Sequence, residues 1–91
     1  MLDPAAAFRR SPELIATEVD GEFVLISLDG GQYFGLDQVA SEIWRRLDTP
    51  KRVDALCAEL QAHFEGDATE IEREAKAFLV DLAERKLVEP A

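Results

Sequence analysis

The chain is 91 residues long, with 19 acidic against 10 basic side chains and a formal net charge of −9. That balance repels polyanions over a Debye length of about 10 Å and so disfavours a nucleic-acid partner, because most non-specific affinity for nucleic acid comes from phosphate neutralisation. A hydrophobic share of 47% with 32% charged residues describes an ordinary globular chain with room for one domain and one core.

No apolar run approaches the roughly 20 residues needed to span a bilayer, and the N-terminus lacks the apolar stretch of a signal peptide. The cytoplasm, with no membrane attachment, is the expected location. Cys57 is the single cysteine, so no internal disulfide and no thiolate cluster for zinc can form.

Residues 1–12 carry three successive alanines, Arg9-Arg10 and two prolines, and read as a loosely packed arm, anchored by Phe8 or disordered in isolation. The single domain is expected over 13–91. Leu14 to Val19 and Glu22 to Leu28 are strand-like, and the Asp20-Gly21 pair between them is a type I′ hairpin signal. Asp29-Gly30-Gly31 turns the chain into a third short strand, Gln32 to Leu36, completing a three-stranded antiparallel meander. So small a sheet needs helices on one face.

Within one residue the pattern then changes from period 2 to period 3.6. Asp37 is placed to cap a helix in which Val39, Ala40, Ile43, Trp44 and Leu47 share a face, and Asp48-Thr49-Pro50 stops it. A second helix from about Arg52 to Phe64 carries Val53, Leu56, Cys57, Leu60 and Phe64 on one stripe. Asp67 opens a third helix, roughly Ala68 to Arg85, with an Asp-x-x-Glu variant of the capping box. Taking about 100° per residue, Ile71, Ala75, Phe78 and Leu82 cluster as a core face of this helix. Leu79 lies to one side with Lys76 and Ala83, widening the apolar flank, and Val80 points nearly opposite. Leu87 is expected to fold back on the helices. The order β-β-β-α-α-α argues for an α+β fold with strands first and helices after.

No motif in the chain carries catalysis. His63, the single histidine, has no nucleophile signature to serve and reads as a half-exposed residue at the end of the second helix. Cys57, between Leu56 and Leu60, reads as buried. The carboxylates Glu70, Glu72, Glu74 and Asp81 spread around the third helix among basic residues, so ion pairs such as Glu72–Lys76 and Asp81–Arg85 explain them better than metal ligation. Gly30 to Gly35 lacks the lysine and spacing of a phosphate loop.

Two features remain. The third strand lies at a sheet edge with unpaired backbone groups, bared further by Gly35, and the flank of the third helix is wide. If they adjoin, they form a groove that can receive an extended peptide by strand addition. If the first helix or the arm covers the edge, they do not.

The ordered set Ser11-Pro12-Glu13-Leu14-Ile15, Asp20-Gly21, Gly31-Gln32-Tyr33-Phe34-Gly35-Leu36-Asp37, Ala40, Ile43-Trp44, Phe78-Leu79, Leu82 and Leu87 resembles the PqqD-like family of RiPP recognition elements. The resemblance implies a winged-helix-like domain that is not an enzyme and uses no cofactor or metal. Such a domain binds the leader segment of a ribosomally made precursor peptide and presents it to a maturation enzyme. It implies a peptide-binding edge of Gln32, Tyr33, Phe34, Gly35 and Leu36, faced by Lys76, Leu79, Val80 and Ala83. The aromatic strand and Ile43-Trp44 are most similar to the discrete leader-binding proteins of lasso-peptide clusters, which act with a leader peptidase. The alternative is the pyrroloquinoline quinone type, whose partner is a radical SAM enzyme. A monomer is expected, and a winged-helix DNA-binding regulator is the reading from another class. Lys86 departs from the glycine of many relatives, which would form an αL cap at the end of the third helix.

Overall fold

The computed structural model describes residues 2–91, and its elements, in order, are β1 (Ala7–Arg10), β2 (Leu14–Val19), β3 (Glu22–Ser27), β4 (Tyr33–Gly35), α1 (Gln38–Arg46), β5 (Lys51–Arg52), α2 (Val53–His63), α3 (Ala68–Glu84) and β6 (Val88–Pro90). This is the expected α+β architecture with one addition. The meander β2-β3-β4 is a three-stranded antiparallel sheet, and a second three-stranded sheet has the order β5-β1-β6.

The meander follows directly from its turn residues. Asp20 (φ 53) and Gly21 (φ 83) both occupy the left-handed region, as a type I′ turn requires, and Leu14 to Val19 pair in continuous register with Ser27 to Glu22. Asp37 caps α1 as expected, accepting from the backbone N–H of Ala40 at 2.8 Å, and Asp67 caps α3 by accepting from Thr69 and Glu70.

Residues 2–12 differ from the loose arm that composition suggests, Met1 lying outside the described residues. From Ala7 the segment is the middle strand of the second sheet, with Phe8 opposite Lys51 on one side and Pro90 on the other. Phe8 is buried, and the Arg10 guanidinium lies over the Trp44 ring at 4.8 Å and donates to the Trp44 carbonyl. The partners that order this segment are a two-residue strand and the chain's last residues, both too short to carry a periodic signal.

One core joins both sheets and all three helices. Leu25, Ile43, Trp44, Leu47, Leu56, Leu60, Leu79 and Leu82 are almost fully enclosed; burying an aliphatic side chain of this size is worth roughly 1.5–3 kcal/mol. Cys57 belongs to this core, where burial pushes its thiol up from the usual range, and His63 is about half exposed at the end of α2. Val80 is exposed, and the pairs Glu72–Lys76 and Asp81–Arg85 form along α3. Among the described residues no helix is long and apolar enough to cross a membrane.

Lys86 takes the conformation that glycine would favour. Its φ is 60°, its N–H donates to the Ala83 carbonyl at 3.1 Å, and the N–H of Leu87 donates to the Leu82 carbonyl at 2.9 Å. These two bonds form a Schellman cap and bring Leu87 back into the core.

Candidate peptide groove

Strand β4 is one of the two edges of the meander, β2 being the other, and among the described residues it pairs with no strand beyond β3. The N–H of Leu36 donates to Phe23 at 2.9 Å, and the carbonyl of Gln32 accepts from Ser27 at 2.9 Å. Antiparallel pairs alternate along a strand, so Gln32, Phe34 and Leu36 turn their backbone groups toward β3. Tyr33 and Gly35 therefore turn theirs outward, and these four groups are the unpaired donors and acceptors of the edge. Gly35 presents no side chain, and space around it is open: a Cβ there would meet nothing within 4 Å.

Side chains alternate in the same way. Tyr33, 72% exposed, stands on the outer face of the sheet, whereas Phe34 and Leu36 point inward. Between them and α3 runs a cleft of about 490 Å³. Its helical wall is Phe78, Asp81 and Arg85, with Leu82 at the base and Ala40 of α1 at one end. The Arg85 guanidinium sits over the Phe34 ring at 5.0 Å and is fixed by Asp81 at 3.1 Å. The cleft thus has an apolar floor and a wall and lip that carry the charges of Asp81 and Arg85.

Four of the five expected strand residues assemble into this site. Tyr33 and Gly35 supply the edge and Phe34 and Leu36 the floor, whereas Gln32 lines a neighbouring cleft with Arg85 and Lys86. The expected helix residues do not join them. Leu79 is 1% exposed and belongs to the core. Ala83 lines a separate cleft against Phe8 and Val88 of the second sheet. Lys76 pairs with Glu72 at 3.5 Å, close enough to Cys57 of α2 to act on its thiol, and Val80 faces solvent. The physical reason is the second sheet: β6 and α2 cover the Leu79 flank and make it core, which leaves the Phe78 flank open. The signal was the phase of Phe78, Asp81 and Arg85, which share one side of a helix turning about 100° per residue.

Nothing in the groove points to bond chemistry. Among the described residues no three of His, Cys, Asp and Glu gather as a metal site. Neither His63 nor Cys57 lines the groove.

Residues 22–88 match the family described as "Coenzyme PQQ synthesis protein D (PqqD)". This chain belongs to the PqqD family. Two solved structures share the PqqD fold seen here at substantial identity. "TbiB1 in Complex with the TbiA(beta) Leader Peptide" is 36% identical, with a TM-score of 0.81 over 89% of this chain and 94% of that one. "Lasso peptide synthetase B1 complexed with the leader peptide" is 28% identical, with a TM-score of 0.78 over 91% and 98%. No curated protein matches. The resemblance to PqqD-like recognition elements drawn from the sequence is borne out, and the similarity to lasso-peptide proteins narrows it.

Proposed function

We propose that this PqqD-family chain binds the leader segment of a ribosomally synthesised precursor peptide as an added strand on β4, seated between β4 and α3. The open edge carries the reading: Tyr33 and Gly35 present unpaired backbone groups beside a cleft with an apolar floor and a charged lip. Main-chain hydrogen bonds supply affinity in this mode, and pockets for alternate side chains supply selectivity. That both solved neighbours are complexes with a leader peptide supports a leader as the ligand.

The chain acts without chemistry of its own, as a monomer that delivers the leader in trans to a maturation enzyme. A leader peptidase of the lasso type is the favoured partner. Its contribution is effective concentration, which raises precursor near the active site without touching the bond that reacts.

The test is a titration with a labelled synthetic leader, either TbiA(beta) or the leader encoded beside this chain's own gene. Gly35→Pro removes an outward N–H and leaves the bonds to β3 intact, so affinity falls at least tenfold while the far-UV spectrum and melting temperature stay close to wild type. Full affinity in the Gly35→Pro protein would rule out pairing at this edge.

A further inference from the structure

The β4 cleft does not stop at Leu36. Asp37, Ala40 and Phe78 line it and also line an adjoining cleft along the α1–α3 junction, which shares Val39, Ile43 and Glu74 with an apolar pocket of about 180 Å³. The pocket is walled by Ile43, Leu60, Phe64 and Ile71, from three different helices. Its entrance is Val39, 42% exposed, although it sits on the face of α1 that would ordinarily be covered. The rim is acidic: Glu74 and Glu65 flank the entrance, and among the described residues neither makes an ion pair, whereas Glu42, Glu59, Glu70 and Glu72 all do.

We infer that the peptide bound at β4 continues past Leu36 along the α1–α3 junction and places one large apolar side chain, next to a lysine or arginine, in the pocket behind Val39 and Glu74. The inference rests on strand addition at β4 and extends it from an edge to a two-part site. Continuity fixes the occupant as the same peptide, since Asp37, Ala40 and Phe78 belong to both stretches of the groove. Charge complementarity fixes its chemistry: an apolar floor takes an apolar side chain, and unpaired carboxylates at the rim take a neighbouring cation. An added strand alone reads little sequence through its backbone bonds, so a pocket set apart from the strand gives this chain a means of choosing its leader.

A phage-displayed library of random 20-residue peptides, selected on the intact chain, tests this without a known leader. Enriched peptides are synthesised and titrated against wild type, Gly35→Pro, Val39→Gln, Glu74→Lys and, as a charge-matched control on the outer face of β3, Glu22→Lys. Val39, Glu74 and Glu22 are exposed, so thermal melts should match wild type in all three variants. The expected result is an apolar residue adjoining a basic one in the enriched peptides, a loss of at least fivefold in both Val39→Gln and Glu74→Lys, and full binding to Glu22→Lys. Binding lost in Gly35→Pro but unchanged in Val39→Gln and Glu74→Lys overturns the pocket and leaves strand addition standing. Loss in the two pocket variants with full binding to Gly35→Pro confirms the pocket and overturns edge pairing. Failure to enrich any peptide overturns both.

Discussion

The Arg85 guanidinium lies 5.0 Å from the centre of the Phe34 ring, joining the end of α3 to the edge strand β4. A partly exposed cation–π contact of this kind is worth about 0.5–1 kcal/mol. It also holds both side chains as the lip of the groove. Replacing Arg85 with alanine should lower leader affinity by roughly two- to fivefold in an anisotropy titration. Arg85→Lys should lose most of the same amount, because an ammonium keeps the charge without the planar stacking surface. Full rescue by lysine would mean that charge alone matters there.

Leu79 and Val80 are neighbours in sequence with opposite roles. Leu79 is 1% exposed and Val80 38% exposed. Leu79→Ala should destabilise the fold by about 2–5 kcal/mol in urea denaturation, the usual range for emptying a packed aliphatic site. Val80→Ala should stay within about 0.5 kcal/mol of wild type. Neither substitution removes a groove contact, so the leader affinity of folded protein should change little in both.

Lys86 holds a left-handed backbone at φ 60 within the Schellman cap of α3. A non-glycine residue there costs about 1–2 kcal/mol, while glycine gives up about 0.4–1 kcal/mol through the freedom it gains in the unfolded chain. Lys86→Gly should therefore raise stability by roughly 0.5–1 kcal/mol, seen as a melting temperature higher by several degrees. A lower melting temperature would show that the lysine side chain stabilises the native state in some other way.

Glu59 joins Lys51 at 2.8 Å and Arg46 at 3.2 Å, tying α2 to β5 and α1. The Lys51 ammonium, with Arg46 after it, holds the Glu59 carboxyl below the usual carboxylate range. A depressed folded-state value means that the contribution is complete above the unfolded value, near pH 4.3, and is lost as pH falls through the folded value. The group is partly exposed, so no more than about 1 kcal/mol is involved. Glu59→Gln should be less stable than wild type at neutral pH, and the two stabilities should converge in acid.

Much of this molecule was legible in its residues. Asp20-Gly21 placed the hairpin, the change of period at Asp37 placed α1, and Gly35 marked the open edge, because turn chemistry, capping and backbone exposure are local properties. The second sheet was not legible: β5 has two residues, β6 three, and β1 sits in a segment with no alternation to read. That omission propagated into the site. Without β6 over its flank, Leu79 reads as a ligand contact, whereas in the structure it is core, and Phe78, partly buried against that core, also lines the cleft. The place of β4 at a sheet edge was legible because it depends only on β3, its neighbour in sequence.

The pairing of Phe8 with Pro90 also sets an order of events. The meander and α1 are built from contacts close in sequence, whereas β1 finds its second partner, β6, only beyond the meander and all three helices. Non-local pairings of this span close late and slow the folding of the whole. The β4 edge can thus form before the second sheet is complete, with Phe8 still uncovered on one side. Strand β1 acts as a clasp that fastens late, and its fastening marks the point at which the domain becomes a finished cooperative unit.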